Sequence, residues 1–287
     1  LCSLAAVLAV ASGCTQSPER ETANQGEPPI GALLVIADLS TFTLPLDPYR
    51  QARQNLDATT KAEGVLMRQC LRRFGFEPPP DRAPSAAATG YQQRYGITNG
   101  DQAAARGYHG PPRPAEEGPS ADVLSPAAQA VMSGDGQRSY AGQQVPEGGC
   151  AGEARRKLAE GVPQVEDKNF GSYLASESWE RSKVDSRVRA AFVDWSACMK
   201  RAGYDYADPF KANDNPEFGD AEPTAGEIAV AVADVRCKKE ANVVSIWATV
   251  ETAYQQRSVE KHGEALAAIR KNFEAQEKNA AAVLAAA

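Results

Sequence analysis

Two octapeptides 128 positions apart, CLRRFGFE at 70–77 and CMKRAGYD at 198–205, follow one formula. It reads Cys, Leu or Met, two basic residues, a free position, Gly, an aromatic ring and a carboxylate. Rules for helix ends account for nearly all of it. Gly75 and Gly203 supply the left-handed residue just past a helix, where a side chain costs energy. Arg72-Arg73 and Lys200-Arg201 oppose the partial negative charge of a last turn. In a Schellman ending the residue after the Gly packs on one near the helix end, which pairs Phe76 with Leu71 and Tyr204 with Met199. The motif is a piece of architecture used twice.

The repetition extends downstream, because Cys150 opens CAGEA and Cys237 opens CKKEA. Four cysteines allow three pairings. A duplicated unit most simply keeps its bridge within itself, so Cys70–Cys150 and Cys198–Cys237 are expected. Loops of about 80 and 40 residues are each worth roughly 4 kcal/mol in the loop-entropy model.

The N-terminus bears on location. LCSLAAVLAVASGC is an apolar run of about 11 residues ending in small side chains, followed by the polar TQSPERETANQGEPP. It has the size of a signal-peptide core and is too short to span a membrane. Ala11-Ser12-Gly13-Cys14 resembles the lipobox of bacterial lipoproteins, with Ala11 where that family prefers Leu. The resemblance implies removal of residues 1–13 and diacylation of Cys14, and two acyl chains hold a protein stably on a bilayer. The competing reading is secretory cleavage after Ala9-Val10-Ala11. Of six cysteines, Cys2 lies in the leader, and lipid on Cys14 leaves four to pair, whereas plain secretion leaves an odd thiol.

A tether at 14–29 leads to a first helical half at 30–160. There LLVIADL reads as a short strand or a buried helical turn. A helix is expected over about 49–74, with Leu66, Cys70 and Phe74 inward. Residues 77–149 form a Pro/Gly-rich insertion, about 29% Pro plus Gly over 75–149. Within it Asn99 and Ser125-Pro126 mark helix starts. The second half, 161–263, carries an apolar stripe through Val184, Val188, Ala191, Phe192, Trp195, Cys198, Met199 and Ala202. A loop follows at 209–223. Thr224 with Glu227 forms a capping box, opening a helix that runs past Tyr254 on a stripe of Ile228, Val232, Val235, Ile246, Val250 and Tyr254. Gly263 marks a break, and 264–287 is an Ala-rich helical tail with a frayed end. The fold class is mostly α: two disulfide-linked halves related by internal duplication.

The two Cys-Gly-aromatic helix ends, the LPLDPY lead-in, the CxxEA pair and the lipoprotein leader together resemble a group of actinobacterial cell-envelope lipoproteins. The likeness covers about 45–254 and implies an exported, anchored, helical protein. No activity is attached to that group, so it supplies no catalytic residue.

Structural zinc wants closely spaced cysteines such as C-x-x-C, and a thiol redox centre wants the same or an exposed low-pKa Cys. The sequence has neither, and no metal or cofactor is expected. The net charge of −6 argues against nucleic acid as a partner. Only two histidines occur, His109 and His262, and no zinc-protease motif, Gly-x-Ser-x-Gly elbow or phosphate loop is present. His109, in GYHGPP, is the better general base, against the commoner reading of an exposed loop histidine. Trp195 reads as core, Trp247 as core or groove. Trp179, with Tyr95 and Tyr108 of the 91–110 loop, are the candidate surface-binding residues. The expected role is a non-enzymatic binding or structural lipoprotein on the outer face of the cytoplasmic membrane, its partner an envelope protein or wall ligand. The alternative is an envelope hydrolase with its site in the 91–110 loop.

Overall fold

The computed structural model describes residues 26–51, 53–78, 94–110, 124–136, 138–219 and 222–287. The expected leader and the lipid site Cys14 lie outside the described residues, as do 79–93 and 111–123 of the insertion. The described residues form a mostly α-helical body. Its helices are α1 (Arg53–Arg73), α2 (Gly100–Arg106), α3 (Pro126–Ser133), α4 (Gly149–Leu158), α5 (Phe170–Lys183), α6 (Ser186–Arg201), α7 (Pro209–Asn213), α8 (Ala225–Glu240), α9 (Val243–Lys261) and α10 (Gly263–Ala285). A two-stranded antiparallel hairpin, β1 (Ser139–Tyr140) and β2 (Gln143–Gln144), precedes α4.

Both expected bridges form, Cys70–Cys150 between α1 and α4 and Cys198–Cys237 between α6 and α8, each with Cα atoms 5.5 Å apart. Both octapeptides end their helices as the sequence predicts. The N–H of Phe76 donates to Leu71 O at 3.2 Å and that of Gly75 to Arg72 O at 3.0 Å; Tyr204 and Gly203 repeat the pattern on Met199 and Lys200. Gly75 and Gly203 have φ of +80° and +92°. Leu71 is buried with Phe76 packed on its cluster, and Met199 and Tyr204 are related in the same way.

The structure also explains the acid of the CxxEA pair. Arg73, three residues after Cys70, pairs with Glu153, three after Cys150; Arg201 pairs with Glu240 at the same offsets. Residues three apart share a helix face, so each junction is one covalent and one ionic link side by side. The repeated unit is smaller than a helix: Cys150 lies in the first turn of α4, whereas Cys237 lies in the last turn of α8.

The main core joins α6, α8 and α9 around Trp195, Trp247, Met199 and Val250. The α6 stripe holds from Val188 onward, but Val184 is exposed because it caps α5. LLVIADL is neither strand nor helix. Its chain runs extended over α9, with Leu34 N–H on Thr249 Oγ1 at 2.9 Å and, beyond it, Leu46 N–H on Gln255 Oε1 at 3.0 Å. Leu34 and Ile36 pack on the core while Leu33 and Val35 face solvent.

Three expectations change. The helix opened by Thr224 stops at Glu240, because Asn242 takes a left-handed conformation (φ +55°) and redirects the chain, so that α9 packs on α5 and α6. The 209–223 loop contains α7, opened by Pro209 and capped by Asp208. The C-terminal tail does not fray early: α10 extends to Ala285 and links both halves. Leu266, Ile269 and Phe273 pack with α5, and two turns further Ala280 meets Ala62 and Ala154 of α1 and α4. Small side chains there permit close helix approach. Asn279 Nδ2 then donates to the carbonyls of Leu158 and Glu160, both at 2.9 Å, satisfying the end of α4.

Candidate functional site

The chemistry gathers where α8 and α9 meet segment 94–110. Glu227, Ala231, Asp234 and Lys238 lie at helical steps on the inward face of α8, all buried. Against them sits α2, opened by Asn99, whose side chain accepts from Gln102 N–H at 2.9 Å, and packed through Ala103 on Ala231 and Val235. Gly107, at φ +58°, ends α2; a Cβ there would strike the Glu227 carboxylate. That turn aims Tyr108 N–H at Glu227 Oε1, 2.8 Å away.

Asp234 is the hub. Its Oδ1 accepts from Trp195 Nε1 at 2.8 Å, and its Oδ2 from Lys238 Nζ at 2.9 Å and the Tyr108 hydroxyl at 3.2 Å. Lys238 also donates to Ile97 O at 3.0 Å. Burial pushes the Asp234 carboxyl up and the Lys238 ammonium down, each opposed by the charge of the other. Burial and then the Asp234 charge push the Tyr108 hydroxyl far above its ordinary value.

A second cluster lies on α9. Glu251, fully buried, accepts from Tyr95 Oη at 2.9 Å, Gln255 Nε2 at 2.9 Å and Arg94 Nε at 2.9 Å, with Arg94 Nη2 completing a two-nitrogen pairing. A third joins α6 to α9: Asp185 pairs with Arg187 at 2.7 Å and accepts from the Tyr254 hydroxyl at 3.2 Å. Burial raises the Asp185 carboxyl, but hydrogen bonds from Arg187, its charge and Tyr254 outweigh this and hold it below the usual range.

Of the residues singled out from sequence, Tyr95 is a correction. It is 1% exposed, because its hydroxyl finds a buried acceptor in Glu251 and its ring packs edge-on against Trp247 at 5.3 Å. Tyr108 is half-buried with its hydroxyl turned inward, stacked on Phe218. Trp179 is partly buried. Trp247 stacks on it at 4.5 Å and the Arg94 guanidinium lies over it at 4.7 Å, so protein groups take up the ring on which a ligand would stack. Trp195 and Trp247 are core. His109 sits 21% exposed with Nε2 3.3 Å from Glu227 Oε2, an imidazole beside a buried carboxylate. Neither atom makes an aligned hydrogen bond. Among the described residues no three His, Cys, Asp or Glu side chains gather closely enough to hold a metal ion.

Sequence reasoning missed Glu227, Asp234, Lys238 and Glu251 as interior residues. Asp234 and Lys238 have the i,i+4 spacing of an ordinary surface pair, and Glu227 fits the capping box. Only half of that box forms: Thr224 Oγ1 accepts from Glu227 N–H at 3.1 Å, while the Glu227 carboxylate turns to Tyr108. The stripe read from the sequence ran through Val232, which is 43% exposed, and nothing in the sequence marked the charged positions as the inward ones. Compared with family models, with curated proteins and with solved structures, the chain matches none.

Proposed function

We propose that the protein is an exported lipoprotein of the bacterial cell envelope, held on the outer face of the cytoplasmic membrane by acyl chains on Cys14, with a non-enzymatic binding or structural role. The observation that supports this reading best is the pair of matched junctions, each a disulfide beside an Arg–Glu pair. Disulfides persist in oxidising compartments and are rare in reducing ones. The internal engagement of the buried charges and of the Trp179 ring suits a body that presents its outer surface to an envelope protein or wall ligand. The resemblance to actinobacterial envelope lipoproteins belongs to the same proposal.

Intact-mass analysis of membrane-extracted protein, with and without reduction, tests it. The expected result is an acylated N-terminal cysteine, two bridges, and release from membranes on Cys14→Ser. A mature N-terminus at Ser12 with an unmodified Cys14 removes the anchor.

One observation favours a second reading, an envelope hydrolase acting on cell-wall material. His109 Nε2 lies 3.3 Å from the buried Glu227 carboxylate, and an imidazole beside a carboxylate is the pair of groups that general-base activation of water uses. Turnover of wall fragments, esters or peptides that falls at least a hundredfold in His109→Ala supports it; no turnover, or turnover unaffected by that change, ends it.

A further inference from the structure

Asp234 and Lys238 stand four residues apart on the inward face of α8, with side chains 0% and 2% exposed. Residues so spaced meet on one side of a helix, and in water they make an ordinary ion pair. Here water is excluded. Around the pair lie Trp195, Tyr108 and the backbone of Ile97, and a Cβ at Gly96 would come within 2.7 Å of Lys238 Nζ. Taking two charges out of water is costly, and attraction between them repays it only where the geometry is excellent. Burial acts on both groups toward the uncharged form, raising the carboxyl and lowering the ammonium. One proton moved along the 2.9 Å hydrogen bond from Nζ to Oδ2 leaves a neutral amine beside a neutral carboxylic acid. A desolvated lysine amine is an activated nucleophile, and its electrophile is held against it in the same cavity.

The other contacts are those that condensation of the pair needs. Trp195 Nε1–H, 2.8 Å from Oδ1, faces the oxygen that gains negative charge when an amine adds to Cγ. The Tyr108 hydroxyl, 3.2 Å from Oδ2, donates to the oxygen that has to leave. Ile97 O, 3.0 Å from Nζ, takes one N–H of the amine and fixes its direction. Among these side chains Tyr108 alone is partly exposed, so the way out for a released water lies on its side.

We propose that Asp234 and Lys238 join in an intramolecular amide across one turn of α8. The Nζ electron pair forms the Cγ–Nζ bond, and charge passes to Oδ1 under the Trp195 N–H. A proton then moves from Nζ to Oδ2. The Cγ–Oδ2 bond breaks, Oδ2 leaves with both hydrogens as one water, and Oδ1 reforms the carbonyl. No oxidant, cofactor or second substrate enters. The product keeps a carbonyl oxygen for Trp195 and an N–H for Ile97 O, and it holds no buried charge. Lys238 directly follows Cys237, so α8 carries the amide next to the Cys198–Cys237 bridge. Unlike that bridge, the amide survives reduction.

The test is peptide mapping of the folded full-length protein after reduction and alkylation. Trypsin cuts after Arg236, between the two residues. The amide therefore appears as a branched species that joins the peptide ending at Arg236 to the one beginning at Cys237. It is one water lighter than the two together and is uncut after Lys238. Lys238→Arg should abolish it. In Tyr108→Phe, with folding checked by far-UV circular dichroism, a given branched fraction should be reached roughly tenfold later or more. Recovery of the two peptides separately, from protein held folded at neutral pH until its map no longer changes, overturns the proposal. So does a loss of water that fragment spectra place at another residue, as in a succinimide, or a branched species that persists in Lys238→Arg.

Discussion

Replacing each bridge in turn by an alanine pair separates two accounts of what the disulfides do. Cys70–Cys150 closes a separation of 80 residues and Cys198–Cys237 one of 39. In the loop-entropy model these lengths correspond to roughly 4.5 and 3.9 kcal/mol at 25 °C. The gap of about 0.6 kcal/mol is what one doubling of loop length gives. If constraint of the unfolded chain dominates, the two deletions cost nearly the same. If native packing dominates, they differ, because Cys198 and Cys237 sit in the main core with Trp195 and Met199, whereas Cys70 and Cys150 sit in a smaller cluster. Urea unfolding followed by far-UV circular dichroism is the assay, with tryptophan emission as a second probe confined to Trp179, Trp195 and Trp247. We expect losses of about 3–5 kcal/mol in each variant, with a larger dependence on urea as the unfolded chain expands. A loss under about 1 kcal/mol for the second bridge, or a difference above about 2 kcal/mol between the two, refutes the entropic reasoning.

Other outcomes follow from the buried polar groups. Lys238→Met leaves Asp234 with Trp195 and Tyr108 but no cation, and should cost about 3–5 kcal/mol in urea unfolding; Lys238→Met with Asp234→Leu should cost less than the two single changes added together. Because Asp185 is held below its unfolded value near 4, its contribution is present above that pH and lost as pH falls through the folded value. Asp185→Asn should flatten that acid limb of stability against pH. Tyr108 is shifted the other way: its contribution is complete below about pH 10, the unfolded value, and is lost as pH rises further, so Tyr108→Phe should lessen the alkaline loss of stability. Gly107→Ala places a side chain at φ +58° against Glu227; it should cost about 1–3 kcal/mol and speed amide exchange across α2.

How much was legible in the sequence can be argued from particular residues. The helix ends were, because Cys-x4-Gly-aromatic encodes a local event: a left-handed glycine, two carbonyls satisfied, one side chain folded back. The caps at Asn99, Ser125 and Thr224 belong to the same kind, with each partner within three residues. The α10 tail was legible as a helix, but what holds its end was not. Ala280 acquires its value only where Ala62 and Ala154 leave room for two backbones to approach.

The sequence alone determined the helical class, the two bridges and the punctuation of the helices, since all of these rest on short-range chemistry or on a repeated pattern. Tertiary structure alone decided that Glu227, Asp234, Lys238 and Glu251 lie inside. Asp234 and Lys238 pair with each other within α8, whereas Glu227 and Glu251 find partners outside their helices, 119 and 157 positions away, where segment 94–110 supplies them. Periodicity within one helix carries no record of such a partner. For that reason the interior of α8 reads, residue by residue, like a solvent-facing surface.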